Sequence, residues 1–140
     1  MKQGRKPLLI LFTLVILIVI GVFTWFILHV FEGEKPELSI HPLPEFLSQE
    51  SRFALEAQDA KRGLRVLRVS IHQPGREIPV VERNFPYQGL FNSDGVHRHR
   101  ETFEIDPNAL NLAQGRAELK VEVFDHSRRG GGDGNQTLFT

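Results

Sequence analysis

The sequence predicts an all-β domain, an antiparallel β-sandwich, preceded by one transmembrane α-helix. Three observations predict it. Residues 8–30 hold an apolar run of membrane-spanning length, and beyond residue 36 the hydrophobic period changes from uniform to two. Turn residues then divide the alternating runs into short pieces and leave no long amphipathic helix.

The helix comes first. From Leu8 to Leu28 no side chain is charged, and Leu, Ile, Val and Phe dominate. A helix of that length crosses a hydrocarbon core of about 30 Å. A soluble helix needs a polar face, and this one has none. Lys2, Arg5 and Lys6 precede it and Glu32, Glu34 and Glu37 follow, so the positive-inside tendency puts residues 1–7 in the cytoplasm and everything after Val30 outside. Trp25, Phe26 and His29 then fall near the outer interface. The rival is a cleaved signal peptide, whose apolar region is shorter and ends in small residues. Here Trp25-Phe26-Ile27-Leu28 follow instead, which favours an uncleaved anchor.

Residues 31–36, with Gly33, Pro36 and several charges, suit a short linker at the membrane surface, and 37–140 is expected to form the sandwich. Phe53, Leu55 and Ala57 alternate with Arg52, Ala54 and Glu56, as a strand with one buried face requires. Leu67, Val69 and Ile71 repeat the pattern. Ala117, Leu119, Val121 and Val123 alternate with Glu118, Lys120 and Glu122, and Phe103 with Ile105 is a shorter version. Leu38 with Ile40, and Ile78 to Arg83, are weaker. Turns are expected at Asp59-Ala60-Lys61-Arg62-Gly63, at Pro74-Gly75 and at Asn92-Ser93-Asp94-Gly95. Asp106-Pro107 predicts one capped helical turn between two strands. Six or seven such strands favour an immunoglobulin-like sandwich over any α/β fold.

Composition narrows the function classes. Lys plus Arg equals Asp plus Glu at 17 each, and the three cations before the helix leave 14 basic against 17 acidic residues beyond it. A mildly acidic domain is not a nucleic-acid binder. The absence of cysteine excludes a disulfide scaffold and a thiolate metal site.

No chemical constellation outweighs a plain structural role. His97-Arg98-His99 puts two imidazoles on one strand face, but a catalytic zinc needs three protein ligands, and His41 and His72 lie on other predicted strands. Arg128-Arg129-Gly130-Gly131-Gly132-Asp133-Gly134 lacks the G-K-[ST] ending and following helix of a phosphate loop, so it reads as a flexible connection. Glu118 and Glu122, with Lys120 between them, are surface charge, and Lys61, Arg62, Arg65 and Arg68 are a solvated basic cluster that lacks interleaved aromatics. Asn135-Gln136-Thr137 fits a glycosylation acceptor that matters only in a glycosylating host. Phe85-Pro86-Tyr87-Gln88-Gly89-Leu90-Phe91 either covers a sandwich edge or presents a contact surface, and covering is favoured. The inventory assigns no catalytic, cofactor-binding or metal residue, and expects no cofactor.

One ordered set of residues resembles a known family. The anchor, Phe31-Glu32-Gly33-Glu34-Lys35-Pro36, Asp59-Ala60-Lys61-Arg62-Gly63-Leu64, and Asp125-His126-Ser127-Arg128-Arg129 leading to Gly134-Asn135-Gln136-Thr137 resemble the N-terminal region of membrane-anchored, lysostaphin-like (LytM-type) bacterial zinc metalloendopeptidases. In those cell-wall hydrolases an anchor and β-sandwich precede a catalytic domain that cuts peptidoglycan cross-links with a zinc-activated water. The family's zinc site uses an H-x-H pair with a further histidine and an aspartate from an upstream motif, and no such upstream motif accompanies His97 and His99 here. The chain ends at Thr140, where the last strand is expected to begin. The resemblance therefore implies a non-catalytic module, in the bacterial cytoplasmic membrane with its domain periplasmic or extracellular, that positions a cell-wall endopeptidase. Its implied partners are the lipid bilayer and peptidoglycan or an envelope protein. The alternative is a stand-alone single-pass protein whose β-domain binds another envelope protein.

Overall fold

A computed structural model describes residues 5–31, 33–44, 46–47 and 50–140. Lys2 and Glu32, two of the charges behind the expected orientation, lie outside the described residues, as does the side chain of Arg5. The chain divides into two units, Met1–Glu32 and Gly33–Thr140.

The first unit is one helix, α1 (Arg5–Val30). Pro7 sits in its first turn, where a missing N–H costs nothing. Residues 6–30 are long and apolar enough to cross a membrane, and every large hydrophobic side chain from Leu8 to Leu28 is exposed. The Thr13 hydroxyl donates to the Leu9 carbonyl at 2.9 Å, which hides a polar group from an apolar surround.

The second unit is two antiparallel sheets of seven strands: β1 (Glu37–His41), β2 (Ser51–Gln58), β3 (Leu64–Gln73), β4 (Arg76–Asn84), β5 (Arg98–Ile105), β6 (Glu118–Asp125) and β7 (Gln136–Phe139). One sheet runs β1-β2-β5 and the other β4-β3-β6-β7. Their inner faces share one core. Phe53, Leu55, Phe103 and Ile105 from the first meet Leu67, Val69, Ile71, Val121 and Val123 from the second, a sandwich as the alternation predicts. Phe53 stacks on Phe103 across the β2–β5 pair.

Strand direction alternates along the chain, which sorts the connections into two ends. The β1–β2, β3–β4 and β5–β6 connections lie at one end. The β2–β3, β4–β5 and β6–β7 loops lie at the other, together with the segment 33–36 that leads into β1. Pro74-Gly75 makes a two-residue hairpin, and Gly75 takes the positive φ of 77° that the second central position of a type II turn needs. The Asp106-Pro107 turn also forms. The Asn108 N–H donates to the Asp106 carboxylate at 2.9 Å. Leu112 and Asn111 N–H groups then close it onto Pro107 and Asn108, with Asn111 left-handed, as in a Schellman cap.

Candidate functional site

Three of the polar segments that the sequence singled out, Asp59–Gly63, Asn92–Gly95 and Arg128–Asn135, lie at the end that carries the β2–β3, β4–β5 and β6–β7 loops. Two buried carboxylates organise it. Asp59, at the end of β2, accepts the backbone N–H groups of Lys61, Arg62 and Gly63 on one oxygen at 3.2, 2.6 and 2.8 Å. Asp125, at the end of β6, accepts from Ser127 N at 2.9 Å, Asn135 N at 2.7 Å and Asn135 Nδ2 at 2.8 Å. A carboxylate removed from water is tolerated when its lone pairs are this fully engaged.

Two glycines let the loops close on these acids. Gly63 has φ 73°, and a Cβ there would come within 2.6 Å of Asn92 Nδ2. Gly134 has φ 88°, and a Cβ would come within 2.3 Å of the Asp125 carbonyl oxygen. Asn92 stitches the third loop in. It is fully buried, donates from Nδ2 to the Arg62 carbonyl at 2.6 Å and accepts the Gln88 N–H at 2.8 Å.

The segment 33–36, expected as a linker, is bonded into the same end. Asn135 Nδ2 donates to the Glu34 carbonyl at 2.7 Å, Lys61 Nζ meets the Glu34 carboxylate at 2.7 Å, and the Thr137 hydroxyl donates to the Pro36 carbonyl. Pro36 is buried.

The paired histidines part company. His97 Nδ1 lies 2.9 Å from the Asp59 carbonyl oxygen and Nε2 lies 3.0 Å from that of Asn92. Carbonyl oxygens only accept, and both ring nitrogens of His97 are turned toward them. His99 turns toward Glu101, with Nε2 to Oε2 at 3.3 Å, and packs against Phe85. Glu101 also takes Arg83 of β4, which closes the sandwich side where β4 and β5 face each other. His72 meets Glu77. Among the described residues no three His, Asp or Glu side chains are grouped to hold a metal.

The basic cluster is dispersed in the same way. Lys61 is held by Glu34, the Arg62 guanidinium lies over Phe91 at 5.6 Å, Arg65 Nη1 donates to the Gly132 carbonyl, and Arg68 meets Glu82. Lys120 pairs with Glu122 at 3.1 Å on the outer face of β6. The Phe85–Phe91 segment divides. Phe85 packs on the core, while Tyr87 and Leu90 stay exposed.

Among the described residues, four titrations are displaced. Burial holds the His126 imidazole below its ordinary range, against a bond to the Phe85 carbonyl at 2.9 Å. On the outer face of β2–β5, a bond from Arg52 lowers Glu104. The neighbouring Glu50 is raised, chiefly by its hydrogen bond with Glu104. The Ser70 hydroxyl, donating at 2.8 Å, lowers Glu77.

No family model, no curated protein and no solved structure matches this chain. What the site can do therefore rests on its geometry, two buried carboxylates that fix the loops at one end of the sandwich. The sequence marked Asp59 and Asn92 as turn residues and Asp125 as part of a motif, but not as the buried centres of this arrangement. Asp59, four residues before Gly63 at a strand end, fits an Asx-turn pattern, and Asp125 and Asn92 carry no such spacing.

Proposed function

We propose that this chain is a membrane-anchored, immunoglobulin-like module that positions a cell-wall metalloendopeptidase outside the bacterial cytoplasmic membrane. The observation that carries the anchored part is α1, which exposes apolar side chains on every face, joined to a β unit with its own core. Such a helix is solvated by lipid and by little else. The immunoglobulin-like reading is supported by seven antiparallel strands in two sheets, with β5 crossing back to β2 and β6 to β3. The endopeptidase link rests on the ordered resemblance. The Asp59–Gly63 and Asp125–Asn135 motifs that carry it lie at one loop end, joined by the His126 N–H to the Gly63 carbonyl.

The topology test uses the absence of native cysteine. The full chain carrying Ala109→Cys is expressed in bacteria and treated with a membrane-impermeant maleimide. Labelling in spheroplasts before lysis, on a full-length chain that resists alkaline extraction, is the expected result. Labelling only after lysis overturns the orientation, and a soluble chain shortened at its N-terminus makes the helix a signal peptide. The endopeptidase link is tested on the coding DNA beyond codon 140. A continuing or adjacent frame with an upstream histidine-and-aspartate motif and an H-x-H pair is expected, and its absence leaves an anchored interaction protein.

A further inference from the structure

The β unit exposes few large apolar side chains, and two of them share the β4–β5 loop: Leu90, 77% exposed, and Tyr87, 52% exposed. The loop that carries them is fixed. Phe91 and Asn92 both take left-handed backbone conformations, at φ 56° and 63°, which side chains with a Cβ adopt only when surrounding contacts compel them. The compelling contacts are the two Asn92 side-chain bonds, and Tyr87 is set edge-on against His126 at 5.4 Å. Leu90 is thus held out at a fixed tip.

The same end of the β unit receives the chain from the helix. The Glu34 carbonyl and carboxylate are bonded to Asn135 and Lys61, and only residues 31 and 32 stand between that fixed segment and the last residue of α1. A span that short reaches on the order of 10 Å. The chain that leaves the helix therefore enters the β unit at this end, whereas the connection bearing Leu43 and Phe46 lies at the other.

We propose that the Tyr87–Leu90 loop docks in the headgroup layer of the bilayer that holds the helix, with Leu90 reaching the acyl boundary and the Tyr87 phenol among the headgroups. This rests on the membrane-anchored reading above. Tyrosine suits that interface because its ring is apolar and its hydroxyl wet. One leucine binds a membrane weakly. A short tether supplies an effective concentration on the order of millimolar, so a weak contact is occupied. Lys61 is paired with Glu34 and Arg65 with Asp133, and the two side chains that make the contact, Tyr87 and Leu90, carry no charge, so the contact is apolar and needs no anionic lipid.

The test uses the full chain in phosphatidylcholine vesicles, with a polarity-sensitive fluorophore on single cysteines at Ser93→Cys, Phe46→Cys or Leu14→Cys, and lipids carrying a shallow nitroxide quencher. The reporter at 93 is expected to be quenched several-fold more than the one at 46, with the gap closed by adding Leu90→Asp. Adding phosphatidylglycerol is expected to change neither. Equal quenching at 93 and 46, with the helix reporter at 14 quenched, overturns the docking and leaves the anchor standing. An unquenched reporter at 14 overturns the anchor, and the docking with it. A reporter at 93 that is blue-shifted but unquenched assigns the loop to a protein surface and overturns the proposal.

Discussion

Asp125 is one of the two buried carboxylates that hold the loop end together. Its carboxylate accepts three N–H groups from Ser127 and Asn135, and Asn135 in turn holds the Glu34 carbonyl. Asp125→Asn preserves the shape but turns one acceptor into a donor that faces other donors. Hydrogen bonds to a charged group contribute about 1.5–3 kcal/mol, so the substitution is expected to lower stability by about 2–3 kcal/mol. Urea unfolding of the full chain in detergent, followed by β-sheet circular dichroism, reads this out. A loss near zero would mean that the three bonds are not made. Ser127→Ala removes one neutral acceptor for Asn135 N and is expected to cost about 1 kcal/mol. His126 adds a pH dependence. Its folded pKa lies below the ordinary 6.5, so between the folded value and 6.5 the unfolded chain binds more protons. Its contribution is fully present above pH 6.5 and is lost as pH falls through the folded value. Melting temperature is therefore expected to fall more steeply from about pH 7.5 to about pH 5 in the native chain than in His126→Gln. Parallel profiles would refute the effect. Glu77 and Glu104, both held below 4.5, act only at lower pH.

At the scale of elements, β3 and β6 are flanked by strands on both sides and supply most of one inner face, whereas β7 is a four-residue edge. Local opening follows that order. Amide exchange is expected to be slowest in β3 and β6 and fastest in β7, and a β7 as protected as β6 would show that its outer edge is covered. The same contrast explains which strands were legible in the sequence. In β2 and β6 a buried face alternates with a wet one, so Phe53, Leu55 and Ala57, or Val121 and Val123, mark the period directly. The register shift beside Val69 and Ser70 sets Val80 out of step and blurs β4. In β5 the inward positions near its start are His99 and Glu101, which answer Arg83 instead of filling a core, so only Phe103 and Ile105 signalled a strand. Gln136–Phe139 gave no signal because neither face is fully buried, and the last strand, expected to begin at Thr140, starts four residues earlier. The loop end was half legible. Its turn residues were visible one by one, but that Asp59, Asn92 and Asp125 draw three loops together depends on contacts among residues about thirty to about sixty apart in sequence.

At the scale of the molecule, two kinds of solvation meet in one chain. The β unit buries Leu67, Val69 and Ile71 and carries surface ion pairs such as Arg68–Glu82, whereas α1 offers water nothing but hydrocarbon and two threonines between Leu8 and Leu28, apart from Trp25 and Gly21. That contrast can be converted into an insertion balance. Leu, Ile, Val and Phe each favour the membrane by about 0.3–0.6 kcal/mol at a helix centre, so the run gives on the order of −5 to −10 kcal/mol. One lysine at the centre costs about 2.5–3.5 kcal/mol. Ile18→Lys alone is therefore expected to leave the chain in the alkali-resistant membrane pellet, because the remaining residues outweigh it. Ile16→Lys, Ile18→Lys and Ile20→Lys together cost about 7.5–10 kcal/mol and remove three favourable residues, which cancels the balance. The triple variant is expected in the soluble or aggregated fraction, with its β unit unchanged, because no core residue has been altered. Were the triple variant to stay in the pellet, the hydrocarbon run would not be what holds this protein to the membrane, and attachment would have to come from the β unit itself.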